Sequence, residues 1–236
     1  MEPDGRKASP RGGILGPARG KLPAPDVVKL YFISNRMLTP GEPPSSAIVE
    51  AVEAGVEMVQ VREKDLPAAQ VLRLSREVVA AASLRGTEVY VNSRFDIAAA
   101  AGARGVHLPA SGLHASEVRR ASKRKLSIGV STHTIEEARA AEEEGADFIT
   151  FGPVFETPSK ARYGPPVGLR VLHEVLAVVG LPVYALGGIN LGNVERVLDL
   201  PVSGVAVISA IAQAPDMKRA VEEFRAAARR VRGGGE

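Results

Sequence analysis

Residues 182–209 read PVYALGGINLGNVERVLDLPVSGVAVIS. The stretch contains the apolar runs VYAL and VAVI, with a helical segment over Leu191–Leu198 between them. Both runs are apolar at nearly every position, as suits strands covered on both faces. A strand, a helix and a second such strand imply parallel pairing through a right-handed crossover. Gly187-Gly188 sits where the first strand hands over to the helix, and Ser209 closes the second strand.

Outward from this unit, the same rhythm fills the chain from Val27 onward. Strands are predicted at Val27–Ser34, Val56–Glu63, Thr87–Asn92, Gly105–Leu108, Leu126–Ser131, Phe148–Val154, Pro182–Leu186 and Gly204–Ser209. Helices are predicted at Ser45–Glu53, Ala68–Ala82, Phe95–Gly102, Ser116–Ser122, Ile135–Glu144, Gly168–Val179, Leu191–Leu198 and Pro215–Val231. Eight such units in about 205 residues point to an α/β fold, a closed (β/α)₈ TIM barrel, in one domain over residues 27–236. A doubly wound open sheet would carry fewer strands or a nucleotide fingerprint after the first. Ser34-Asn35-Arg36-Met37 stand there instead. Residues 1–26 are rich in Pro, Gly and Arg without an apolar period, and read as a flexible tail. The tail has no apolar core of the kind a secretory signal needs. RGGGE at 232–236 reads as a frayed end.

Composition narrows the function classes. The 236 residues are 45% hydrophobic and 24% charged, enough for a globular core and against disorder as a description of the whole. No apolar run approaches the roughly 20 residues of a membrane span. Absence of Cys excludes disulfides, thiolate catalysis and Cys-ligated metals. A net charge of +3, no Trp and 4% aromatics argue against nucleic acid as partner. The balance suits a cytoplasmic enzyme of anionic small molecules, and a homo-oligomer is compatible with it.

In a barrel of this kind chemistry sits at the C-terminal ends of the strands. Gly187 and Gly188, with Ile208 and Ser209 after the last strand, match the phosphate cradle that such loops form from backbone N–H groups. Gln60, Arg62 and Lys64 alternate and so share one face; two cations there favour a pyrophosphate or carboxylate, unless they form a rim of ion pairs with Glu63 and Asp65. His133 ends the fifth strand, where it serves either as an acid–base group or as a loop histidine donating to a backbone carbonyl. His107, between Val106 and Leu108, reads as a structural hydrogen-bonding residue. The loop from Phe155 to Val167 is polar and Gly/Pro-punctuated, and its Thr157, Ser159 and Lys160 suit a lid or anion-binding loop.

QVREK at 60–64, VNSRFDIA at 91–98, GVHLP at 105–109, IGVSTHT at 128–134, FGPVFETPSK at 151–160, ALGGI at 185–189 and GVAVISAI at 204–211 occur in order. By these motifs, from about Lys29 onward, the chain resembles the thiamine phosphate synthase/TenI superfamily. The resemblance implies one of two activities. A synthase joins hydroxymethylpyrimidine diphosphate to thiazole phosphate and releases pyrophosphate with Mg²⁺. A TenI-type thiazole tautomerase isomerises a thiazole phosphate carboxylate to its aromatic form with no cofactor and no metal. The synthase pattern places Mg²⁺-binding Asp residues where this chain has Ser93 and Gly112. That departure favours the tautomerase, an isomerase, with the transferase as the alternative and a non-catalytic thiazole phosphate-binding barrel as a third reading. By the same resemblance His133 is the acid–base residue. Arg62, Lys64, Asn92, Thr157, Ser159 and Lys160 bind substrate, and Gly187, Gly188, Ile208 and Ser209 bind its phosphate.

Overall fold

Eight short runs rich in β-branched and aromatic residues become strands: β1 Lys29–Ile33, β2 Met58–Val61, β3 Glu88–Asn92, β4 Gly105–Leu108, β5 Ser127–Thr132, β6 Phe148–Phe151, β7 Val183–Leu186 and β8 Gly204–Val207. All pair in parallel and in chain order, and β8 returns to β1 to close the barrel. The computed structural model describes residues 27–41, 43–157 and 165–233, so the predicted tail at 1–26 and residues 234–236 of the predicted frayed end lie outside the described residues. The helices are α1 Ser46–Ala54, α2 Ala68–Ser83, α3 Phe95–Ala101, α4 Ala115–Ala121, α5 Ile135–Glu143, α6 Gly168–Val178, α7 Val194–Leu198, α8 Ser209–Ala212 and α9 Met217–Gly233. Their apolar faces cover the outside of the barrel. In α2, Val71, Leu74, Val78 and Ala82 are buried at spacings of three and four, as one helix face requires. No helix among the described residues is long and apolar enough to cross a membrane.

Several predicted boundaries move, most of them by one or two residues. The sixth strand stops at Phe151, because Pro153 has no N–H to continue the ladder. The seventh helix begins at Val194 and not Leu191. Asn190 Oδ1 accepts from the Gly192 N–H at 2.9 Å and Asn193 Oδ1 from the Asn190 N–H at 2.9 Å, which holds 190–193 in a turn. Ser209 leaves the last strand and opens the short α8.

Inside the barrel, aromatic rings and glycines face one another across neighbouring strands. Tyr90 pairs in register with Gly105, Phe148 with Gly129, and Tyr184 with Gly204. A methyl group on Gly129 would stand 2.2 Å from the Phe148 ring, and one on Gly204 would stand 2.8 Å from Tyr184. Each ring thus occupies volume that its partner strand vacates. Tyr31 joins these rings, packing edge-on with centroids 5.9 Å from Tyr90, 6.1 Å from Phe148 and 6.0 Å from Tyr184. Below this layer, Lys29 Nζ donates to Glu88 at 3.1 Å, and the Tyr90 hydroxyl reaches Glu88 at 3.0 Å and Ser127 at 3.3 Å.

The pairing predicts an overpacking penalty. Gly129→Ala is expected to destabilise the chain by about 2 kcal/mol, read as a lower urea midpoint. Adding Phe148→Leu should recover part of that loss, because it shrinks the obstructing ring. A double variant no more stable than Gly129→Ala alone would show that the ring is not the obstacle.

Candidate active site

The strand ends gather polar groups in a second inward-facing layer, directly above the aromatic one. At the β1–β2 corner, Glu63 is buried and accepts from the Ser34 hydroxyl at 2.5 Å and the Arg36 N–H at 3.0 Å. Ser34 Oγ accepts in turn from the Arg62 N–H at 2.9 Å. Glu63 therefore ties two strand ends together. Of the two carboxylates in the alternative rim of ion pairs, Asp65 pairs with Arg36.

Arg62 is the notable cation of the mouth. Its guanidinium is half-buried and carries no hydrogen bond to a described residue. Burial lowers its pKa somewhat, while the neighbouring Glu63 charge opposes the shift. Its positive charge is felt by His107 inside the barrel. A desolvated guanidinium in this state is disposed to take an anion. Gln60 lies deeper on the same face and is fully enclosed, whereas Lys64 is exposed at the rim and engaged with a neighbour.

A buried polar chain crosses the lumen. Gln60 Nε2 donates to Tyr31 Oη at 3.1 Å, and Tyr31 Oη lies 3.1 Å from His107 Nδ1. His107 Nε2 is 3.0 Å from Ser131 Oγ and 3.4 Å from Thr150 Oγ1. Burial, with the Arg62 charge adding to it, pushes the His107 imidazole down to about 3, so it is neutral near pH 7. Burial pushes the Tyr31 phenol well above its ordinary value. The structural role expected of His107 is thus met by named partners. Tyr31, Ser34 and Thr150 were not singled out from the sequence, and Glu63 was read only as a rim charge. Strand parity was the available signal, since Tyr31, Gln60, His107, Ser131 and Thr150 all fall on inward positions.

Asn92 Nδ2 donates to Ser93 Oγ at 2.9 Å, and Ser93 holds φ +61° at the end of β3. His133 Nδ1 meets the Gly152 carbonyl oxygen at 2.5 Å, and its N–H meets Glu137 at 2.6 Å. A carbonyl only accepts, so Nδ1 carries the proton. This is the anchored loop histidine of the plainer reading. Thr157 lies on the loop after β6 and is engaged with a neighbour, while Ser159 and Lys160 lie outside the described residues.

The loops after β6 and β7 close on each other. Val154 N–H donates to the Leu186 carbonyl at 2.9 Å and Phe155 N–H to the Gly187 carbonyl at 3.0 Å. Asn193 Nδ2 clamps the Gly188 carbonyl at 2.9 Å. Gly187 and Gly188 have φ +100° and +66°, and a Cβ on Gly188 would stand 2.4 Å from the Glu156 carbonyl oxygen. Only glycine fits both the backbone angle and the space. Ile208 and Ser209 follow β8 at the same end of the barrel, at the start of α8.

Mg²⁺ needs hard oxygen ligands. Among the described residues, no group of three or more His, Asp or Glu is placed to hold a metal. Glu63, Asp65 and Asp96 are engaged by Ser34, Arg36 and Arg94. A Cβ at Gly112 would stand 2.9 Å from Pro109 Cδ, so that turn closes on itself. The residues present do not fit a protein-built Mg²⁺ site.

Comparison with known proteins adds the family. The family model described as thiamine monophosphate synthase matches residues 30–211. A putative thiamine-phosphate synthase of Geobacter sulfurreducens is 45% identical over 187 residues, 79% of this chain and 88% of the relative. The thiamine-phosphate synthase of Halalkalibacterium halodurans is 38% identical over 196 residues, 83% of this chain and 93% of the relative. The solved thiamine phosphate pyrophosphorylase of Pyrococcus furiosus superposes with a TM-score of 0.79 at 33% identity, covering 86% of this chain and 96% of that one. These matches overturn the expectation of a thiazole tautomerase. Ser93 and Gly112 were weighed too heavily as branch markers, since relatives this similar over most of their length carry the synthase name. With closed barrel, polar mouth and matching motifs in agreement, the chain belongs to the thiamine monophosphate synthase family.

Proposed function

We propose that the protein is a thiamine-phosphate synthase, a transferase that joins hydroxymethylpyrimidine diphosphate to thiazole phosphate. The observation that carries the reading is the 45% identity to a putative synthase over most of both chains. The mouth supports it with two anion-handling regions, one for each phosphorylated substrate. Arg62, with Lys64 above it, takes the diphosphate at the end of β2. The Gly187-Gly188 turn, with Ile208 and Ser209, takes the thiazole phosphate through backbone N–H groups. Asn92 and Thr157 serve as substrate contacts, and Ser159 and Lys160 offer a hydroxyl and a cation to the same anionic substrates.

In the reaction the bond between the pyrimidine methylene carbon and the diphosphate oxygen breaks. Its electron pair leaves with pyrophosphate, and the thiazole nitrogen forms the new carbon–nitrogen bond. Arg62 stabilises the charge that gathers on the leaving group. Anchoring the thiazole by its phosphate orients the attacking nitrogen, and the enclosed lumen beneath keeps water from the carbon.

Incubation with both substrates and Mg²⁺ tests the reading. Thiamine phosphate should form with stoichiometric pyrophosphate. Binding of thiazole phosphate without product would overturn it.

A further inference from the structure

At the end of β2 the sheet stops holding the chain. The strand ends at Val61, and the next residue is Arg62. No described residue hydrogen-bonds the Arg62 guanidinium, so the place where it stands is set by its main chain. In a continuing parallel ladder the Ser34 N–H would donate to the Gln60 carbonyl, and the Arg62 N–H to the Ser34 carbonyl. The first of these bonds forms, at 2.9 Å. The Arg62 N–H instead donates to the Ser34 hydroxyl oxygen, also at 2.9 Å. A side chain therefore supplies the last rung, while the backbone after Ser34 turns away into the 3₁₀ turn Arg36–Leu38.

A hydroxyl can accept there only if its own proton points elsewhere. The buried Glu63 carboxylate takes that proton at 2.5 Å, and a carboxylate only accepts. The Ser34 lone pairs are left for the Arg62 N–H. The other Glu63 oxygen accepts from the Arg36 N–H at 3.0 Å, which holds the carboxylate from its second side. The Glu63 charge also favours the charged guanidinium against its burial.

We propose that Glu63 and Ser34 are positioning residues that act through Arg62: the carboxylate orients the hydroxyl, the hydroxyl holds the Arg62 main chain, and the guanidinium is thereby kept where a diphosphate arrives. The proposal rests on the reading that Arg62 takes the diphosphate. A plain tie between β1 and β2 would instead serve both substrates alike.

A double-variant cycle tests this. Ser34→Ala removes the acceptor, and Glu63→Gln leaves one amide oxygen for two donors. Each should lower kcat/KM for the pyrimidine diphosphate about tenfold, the worth of one oriented hydrogen bond, and leave the KM for thiazole phosphate unchanged. Combined with Arg62→Ala, neither should cause a further loss. The same loss with and without Arg62, or equal damage to both substrates, would show a general tie between strands and overturn the proposal. Hydrogen exchange of the unaltered protein is a check that needs no variant to fold: the Arg62 amide should be protected, and a freely exchanging one overturns the clamp. If the unaltered protein makes no thiamine phosphate, the synthase reading fails, and the cycle is read on the affinity for inorganic pyrophosphate with the same expectations. Failure to bind pyrophosphate would overturn the clamp's role as well.

Discussion

Arg62→Ala should lower kcat/KM for the pyrimidine diphosphate by about 10²–10³-fold, the usual loss when one charge-stabilising donor leaves a reacting centre. The expectation rests on the state of the guanidinium. It is half-buried, and no described residue hydrogen-bonds it. The cost of its desolvation has already been met in folding, and an incoming anion supplies the missing partner. Removing it should leave thermal stability unchanged or slightly raised, because no internal partner is orphaned. The KM for thiazole phosphate should hardly move. Arg62→Lys should restore only part of the rate, since an ammonium lacks the two-pronged geometry of guanidinium. Steady-state kinetics with each substrate varied in turn, beside a melting curve, separates these effects. Equal damage to both substrates, or a large fall in melting temperature, would remove Arg62 from the diphosphate site.

Gly188→Ala should cost about 3 kcal/mol of stability, combining left-handed backbone strain with overpacking. Its φ of +66° is unfavourable for alanine, and the new methyl group would stand 2.4 Å from the Glu156 carbonyl oxygen and 2.8 Å from Phe155. Both obstructing groups belong to the loop after β6, which is itself pinned to β7 by the bonds from Val154 and Phe155. The loop cannot give way without losing them. What folded protein remains should bind thiazole phosphate more weakly, because the turn that aims the backbone N–H groups has moved. Chemical denaturation and a titration of thiazole phosphate read the two effects. Gly86→Ala is the control: it also has positive φ, +73°, but nothing lies near its missing Cβ. A Gly188→Ala penalty no larger than that of Gly86→Ala would show that crowding contributes nothing.

The barrel could be read from the sequence because its repeat is local. Runs such as VYAL and GVAV announce strands without knowledge of their neighbours, and eight of them in order leave few topologies. The expectation of anionic ligands at the mouth arose in the same way, from Arg62, Lys64 and the glycine pair. The interior was not. Tyr31 and His107 are 76 residues apart, and no local pattern pairs them. Glu63 looked like a rim charge because its neighbours in sequence are charged, yet the chain buries it to hold Ser34 and the Arg36 N–H. The branch of the family was misread for a different reason. Ser93 and Gly112 report what is missing from one ligand set, and missing ligands do not specify which reaction replaces them.

The layer of rings at Tyr31, Tyr90, Phe148 and Tyr184 also acts as an insulator. The phenol of Tyr31 reaches upward to His107, while that of Tyr90 reaches downward to Glu88. Among the described residues, no hydrogen bond joins the cluster above to the cluster below. The Glu88 carboxylate thus has no direct hydrogen-bonded path to the mouth among the described residues. The ring layer divides the barrel interior into two polar compartments, and Arg62 and the Gly187-Gly188 turn stand on the side of the upper one.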